Sequence, residues 1–204
     1  KGTNMIGKIT SDVASKIKNT DWQKIRHSLN PIATNSHLEG AFSSTGDSLL
    51  IRKISKLEQE GNFDKIKSIS SKLYERMLKM DEEFKKLPPV IFAQKYYRGI
   101  MGENNEGVKI LQKANQGDIV MPDRGYAFIT KSKDVADSYA RYLDNSAGGE
   151  NVFMEIKIPR GAKISRNPFH LREAVMPRNA KFEVLDKQEQ EGLTKVILKY
   201  IPSK

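Results

Sequence analysis

Few groups in this sequence have chemistry to offer. One is Glu173, in "SRNPFHLREAVMPRNAKFEVL" (165–185), a carboxylate set among Arg166, Phe169, His170, Arg172 and Arg178. A second is Arg98, which closes the β-like run of "KYYRGI" just before Gly99. A guanidinium there can hold a phosphate or a ribose through paired hydrogen bonds. The Gly beside it lets a ligand approach the backbone closely. A third is the pair of hydroxyls in "GYAFITKSKDVADSYARYL" (125–143), where Thr130 ends a β-like run and Ser132 stands before a helical pattern. Each group also has an ordinary reading. An Arg after two aromatics is commonly a surface cation, a Ser before a helix caps its free amides, and a lone strand Glu is commonly a solvated charge. Taken singly, these ordinary readings outweigh the functional ones.

The chemistry that is excluded is clearer. The chain has no cysteine, which removes disulfides, thiol catalysis and thiolate metal sites. His27, His37 and His170 stand far apart and none has metal-ligand spacing, so no metal is expected. A formal net charge of +10 is spread over both halves of the 204 residues and favours acidic partners such as nucleic acid, acidic protein faces or anionic lipid. Solubility is the plain alternative. No run approaches the roughly 18 apolar residues of a membrane span. The opening "KGTNMIGKITSDV" has neither an apolar leader nor an initiator Met, which fits a piece of a longer protein.

Two regions must position these groups. Residues 1–88 read as a helical lobe. "SDVASKIKNTDWQKIRHSLNP" carries apolar residues at helical spacing, "ATNSHLEGAFSSTGDS" reads as loop, and "SLLIRKISKLEQEG" is a short amphipathic helix ending at Gly61. Ile66, Ile69, Leu73, Met77, Met80, Phe84 and Leu87 then form one apolar stripe, predicting a single helix over 63–87 that "LPP" stops. Residues 89–204 read as the core. Short β-like runs occur in "VIFAQKYYRGI", "YAFIT", "NVFMEIKIP", "AKFEVL" and "TKVILKYIP", with one helix in "SKDVADSYARYL" and loops at "DNSAGGEN" and "DKQEQEG". Helices first and strands later predict an α+β fold.

Order and spacing change the weighing. An aromatic-aromatic-Arg-Gly run comes first, then a strand ending in hydroxyls with "VAxxYA" behind it, then "IPRGAKI", then "ExxxPRxxKFxV" with its Glu about 75 residues after the Arg. Together these resemble the mono-ADP-ribosyltransferase family, in the Arg–Ser/Thr–Glu branch of bacterial toxins, effectors and phage enzymes. The resemblance covers about residues 88–202 and extends loosely to the helical lead-in. It implies two packed, mainly antiparallel β-sheets with NAD, the substrate, in the cleft between them, and no metal. It puts Glu173 beneath the ribose as the catalytic carboxylate, Arg98 on the phosphates and adjacent ribose, and Thr130 at the first position of the family's Ser-Thr-Ser motif. Ser132 takes the third position, with Lys131 where the family has Thr. Gly99, Tyr97 and Phe128 line the NAD site, and "DNSAGGEN" is a candidate loop over it.

The turn "SRNPFHL" matches the family's acceptor-recognition loop, making Phe169, His170, Leu171 and Arg172 acceptor contacts. Arginine-modifying members carry Glu two residues before the catalytic Glu, and asparagine-modifying members Gln. Leu171 stands there and can neither position nor deprotonate an acceptor. This argues against a guanidinium, which stays charged and needs a base. A hydroxyl, amide or nucleobase acceptor, His170 as base, or plain NAD hydrolysis are the readings left. The acceptor expected is a macromolecule, protein ahead of RNA or DNA, acted on by a monomer secreted or injected into a target cell. An inhibitor or immunity partner fits that role. The rivals are a non-catalytic basic binding module, in which Arg98, Thr130 and Glu173 scatter, and an NAD glycohydrolase.

Overall fold

A computed structural model describes residues 45–102, 104–141, 151–167, 170–190 and 192–204. The helical pattern in residues 10–30, the loop after it up to residue 44, the "DNSAGGEN" stretch up to residue 150, and Phe169 lie outside the described residues, while Thr45–Ser48, expected as the end of that loop, already form the first turn of a helix.

Two helices open the described chain, α1 (Thr45–Gln59) and α2 (Phe63–Lys86). Gly61, at φ 73°, turns the chain between them, and the Asn62 side chain accepts the Lys65 amide at 3.3 Å to start α2. The apolar stripe is buried as its spacing predicts, through Ile66, Leu73, Met77, Met80, Phe84 and Leu87. One expectation is corrected. The helix is not continuous, because Ser70 adopts φ −169°, ψ 100°. Its hydroxyl accepts the Leu73 amide at 3.1 Å, so it caps a second helical segment inside the stripe. Periodicity records which side is buried and passes over a break that keeps the same side inward. Leu87 is extended, as a residue before proline must be.

The strands are β1 (Gln94–Met101), β2 (Ile119–Val120), β3 (Phe128–Thr130), β4 (Asn151–Ile158), β5 (Ser165–Asn167), β6 (His170–Val175), β7 (Lys181–Gln190) and β8 (Leu193–Ile201). They follow the order β2-β7-β8-β4-β1-β3-β6-β5, with β4 and β8 parallel and the other pairs antiparallel. The fold is α+β, as expected, with the strands of the two expected sheets hydrogen-bonded into one eight-stranded sheet through the single β1–β3 pair. Five strands on one side meet three on the other at β1 and β3, where one pair is in register, Tyr97 with Thr130. One face of the five-stranded part carries the main core, including Tyr96, Met154, Ile156 and Leu198, with α3 (Glu106–Lys113) against it through Val108 and Leu111. The other face takes α4 (Lys133–Arg141) through Ala136 and Ala140 against Phe153 and Leu193.

The stretch "DKQEQEG" was expected as a loop, but Asp186–Gln190 continue β7. Backbone pairing with Leu193–Ile197 holds this polar segment in the sheet, so it needs no apolar side chains of its own. α3 and the strands β2, β5 and β6 have no counterpart among the runs that the sequence pattern picks out. α3 has eight residues, about two turns, too short for a periodic signal.

α1 and α2 dock on the sheet through a shared cluster with Tyr126 and Val175. The Tyr126 ring stacks on Phe84 at 5.8 Å, and its hydroxyl lies 2.6 Å from an Asp81 carboxylate oxygen. Arg178, in the turn after β6, is the tie. Its guanidinium donates to Asp81 at 2.6–3.0 Å, to Glu58 at 3.0–3.1 Å and to Ser55 at 3.2 Å, and its side chain is only 6% exposed. Burial alone would push Glu58 up, but the bonds from Arg178 and Tyr74 outweigh it and hold the carboxyl below its ordinary value.

Candidate active site

The sheet register brings the candidate residues together. Tyr97 on β1 stands opposite Thr130 on β3, and Thr130 stands opposite Glu173 on β6. Registered neighbours share a face with Cβ atoms about 5 Å apart, so an aromatic ring, a hydroxyl and a carboxylate form one row across three strands. These residues line a cleft of about 390 Å³ with Arg98, Gly99, Phe128, Ile129 and three residues of α4: Val135, Ala136 and Tyr139. Glu173 is solvent-exposed on this row. Thr130 and Glu173 therefore share one row, and Arg98 borders the same cleft.

Arg98 follows Tyr97, so strand alternation sends its side chain to the sheet's other side. There its guanidinium donates to Asp123 at 3.1 Å and to the Phe128 carbonyl at 2.7 Å, with 19% of the side chain exposed. Asp123 also accepts a fork from Arg52 of α1, at 2.9 and 3.0 Å. Burial would raise the Asp123 carboxyl. Arg98, Arg52 and the Gly125 amide outweigh it and keep the group below the usual carboxylate range. Burial pulls the Arg98 guanidinium below its ordinary value, and Arg52 adds to this against the pull of Asp123. The two guanidiniums border a second hollow of about 340 Å³, walled also by Asn104, Asn105 and Arg124. Arg98 and Ile129 bound both hollows, so the two adjoin across the sheet joint.

The hydroxyls divide their work. Ser132 Oγ accepts the Val135 amide at 3.3 Å, so Ser132 does what an ordinary helix cap does. Thr130 Oγ1 accepts the Ser132 amide at 3.0 Å and lines the cleft with its own proton left to donate. Lys131 turns away. Its amide donates to the Arg172 carbonyl at 2.7 Å and its ammonium lies 5.4 Å from the Tyr96 ring centre.

Gly99 needs a correction of reason. It lines the cleft, but a Cβ there would lie 2.0 Å from the Ala136 carbonyl oxygen and 2.6 Å from the Ala140 nitrogen. The close approach that demands glycine is that of α4, which therefore seats directly on β1. Tyr97 and Phe128 both border the cleft, and Tyr97 packs against Phe153 at 5.8 Å. Arg172 is exposed, and His170 and Leu171 stand in β6 just before it. Arg178, part of the motif around Glu173, belongs to the helix tie instead. No group of three or more metal-ligating side chains occurs among the described residues.

Sequence reasoning missed Arg52 and Asp123. Arg52 sits in "LLIRKI" as one cation among many, and Asp123 in a stretch with no pattern. Only tertiary packing joins them to Arg98.

The class this architecture defines is the α+β fold of ADP-ribosyltransferases. The chain is similar in structure to the Vis toxin of Vibrio splendidus, at 18% identity with a TM-score of 0.56, over 96% of this chain and 86% of that one. It is similar to the Clostridium limosum C3 exoenzyme at 12% identity, TM-score 0.57, over 95% and 94%. An ADP-ribosyltransferase of Clostridium botulinum is similar at 14% identity, TM-score 0.56, over 87% and 90%. No sequence-family profile matches the chain, and no curated protein matches it in sequence.

Proposed function

We propose that the chain is an NAD-dependent mono-ADP-ribosyltransferase, with the helical region that includes α1 and α2 beside a catalytic core of 89–204. The observation that carries this is the row Tyr97–Thr130–Glu173 sharing one cleft with Arg98. The nicotinamide–ribose bond breaks with its electron pair going to the ring nitrogen, so nicotinamide departs neutral and needs no acid. Positive charge develops at the ribose, and the Glu173 carboxylate stabilises it and accepts from the ribose 2′-hydroxyl. Thr130, opposite Glu173 in the sheet, is placed to donate to it and hold its orientation. Tyr97 and Phe128 wall the nicotinamide. Arg98 and Arg52, on the hollow beyond the joint, suit the two phosphates. An acceptor nucleophile then bonds to the ribose carbon and releases its proton.

The acceptor contacts are assigned to the start of β6, at His170, Leu171 and Arg172. Leucine two residues before Glu173 favours a nucleophile that needs no carboxylate base. A macromolecular acceptor, protein ahead of nucleic acid, and a role as a bacterial toxin or effector fit this reading. The test is nicotinamide release from NAD, beside Glu173→Gln, with labelled NAD and cell lysate. Wild-type release that the variant loses supports the reading, and label on a protein or nucleic-acid fraction names the acceptor. Release without label favours a glycohydrolase, and no turnover at all favours a binding module.

A further inference from the structure

The loop between α2 and β1 presents two apolar side chains to solvent. Ile91 is 67% exposed and Phe92 76%, among the largest exposures of any apolar side chain in the described residues. Single exposed apolar residues are ordinary and carry nothing. These two are consecutive and fixed in place. Pro88 and Pro89 stiffen the chain before them, and Val90, at their base, is 1% exposed. The Val90 amide donates to the Ala162 carbonyl at 2.8 Å, and the Gly161 amide donates to the Val90 carbonyl at 2.8 Å. The tip therefore stands against the turn that follows β4.

That turn supplies charge of one sign. Neither 87–98 nor 157–166 contains an acidic residue, while they hold Lys95, Lys157, Arg160 and Lys163 close to the tip. Lys95 pairs in register with Lys157, and Arg160 is exposed beside Gly161. Lys163 reaches the Lys85 carbonyl at the end of α2, at 2.6 Å. Of the nearby carboxylates, Glu155 lies 3.5 Å from Lys95, and Glu82 and Glu83 pair with Lys85 and Lys86.

We propose that Ile91 and Phe92, with their collar of Lys95, Lys157, Arg160 and Lys163, dock the protein on an anionic lipid surface. A branched alkyl group and a ring at the tip enter the interfacial zone, while the cations meet lipid phosphates. The two side chains offer far less than the roughly 800 Å² per partner of a stable protein interface. Isoleucine has no ring face for a base to stack on. Shallow insertion needs neither. The inference is independent of the proposed catalysis.

The experiment is co-sedimentation of the full chain with vesicles of phosphatidylcholine alone and of phosphatidylcholine with phosphatidylserine. The expected result is pelleting with the anionic vesicles, weakened about tenfold in Ile91→Ser/Phe92→Ser and reduced by salt and by Lys157→Ala/Arg160→Ala. Unfolding midpoints matching wild type show that the variants fold. No pelleting with either vesicle, or pelleting that Ile91→Ser/Phe92→Ser leaves unchanged, overturns the proposal. So does a dimer on gel filtration that Ile91→Ser/Phe92→Ser converts to monomer, since the tip would then be a self-interface.

Discussion

Glu173 and Thr130 are neighbours through backbone pairing, and this makes their side chains separable from the fold. Glu173 is exposed on its strand, so Glu173→Gln removes a charge without opening a cavity. The expected outcome is nicotinamide release reduced by about 10²–10³-fold, with the unfolding midpoint within a degree or two of wild type. Thr130→Val keeps the shape and loses the hydroxyl that accepts from Ser132 and faces the cleft. Release is expected to fall by about tenfold, in kcat more than in KM, as steady-state kinetics would read. A fall confined to KM would mean that Thr130 only helps to bind NAD. The two hydroxyls differ in what they do: Ser132 caps α4, and Thr130 lines the cleft.

At the scale of elements, α4 is seated on β1 by Gly99. Gly99→Ala drives a methyl into the Ala136 carbonyl, and backbone cannot swing aside as a side chain can. A loss of at least ~3 kcal/mol of stability is expected in denaturant titration, with activity falling because α4 walls the cleft. Periodicity and alternation made much of this level legible. The stripe of α2, the runs of β1, β4 and β8, and the amphipathic α4 all carry repeated apolar side chains, and all form. What stayed hidden lacked such repetition. α3 is too short, the end of β7 is polar, and β6 is held by pairing rather than by pattern. The break at Ser70 hides because both halves of α2 bury the same stripe. Glu173 itself was legible only through its order relative to Arg98 and Thr130.

For the whole molecule, Arg178 decides whether helices and sheet stay joined. Its guanidinium is nearly buried and serves carboxylates on both α1 and α2. Arg178→Ala leaves Asp81 and Glu58 without their cation, and about 3–5 kcal/mol of stability should go with it, measured by chemical unfolding. Asp123 plays the corresponding part at the cleft. Its carboxyl is held below its unfolded value, so its contribution is complete above pH about 4 and is lost as pH falls through the lower folded value. Glu58 acts in the same direction. A thermal unfolding series should therefore show a stability plateau above pH about 5 that declines in acid, and Asp123→Asn should flatten part of that decline. No local pattern announces either network. Arg52, Asp123 and Arg178 read in sequence as ordinary surface charges, and their pairing exists only once distant segments meet.

The one registered pair between β1 and β3 has a further meaning for the chain as a linear object. Arg98 and Thr130 precede the connection from α4 to β4, and Glu173 follows it. The segment before it carries β1 and the segment after it carries β4, and these two strands pair along eight residues. A polypeptide cut at that connection would leave two pieces, each holding part of the cleft and neither holding all of it. Mixing them would let β1 find β4 and β3 find β6, so turnover from two inert fragments would measure assembly of the sheet directly.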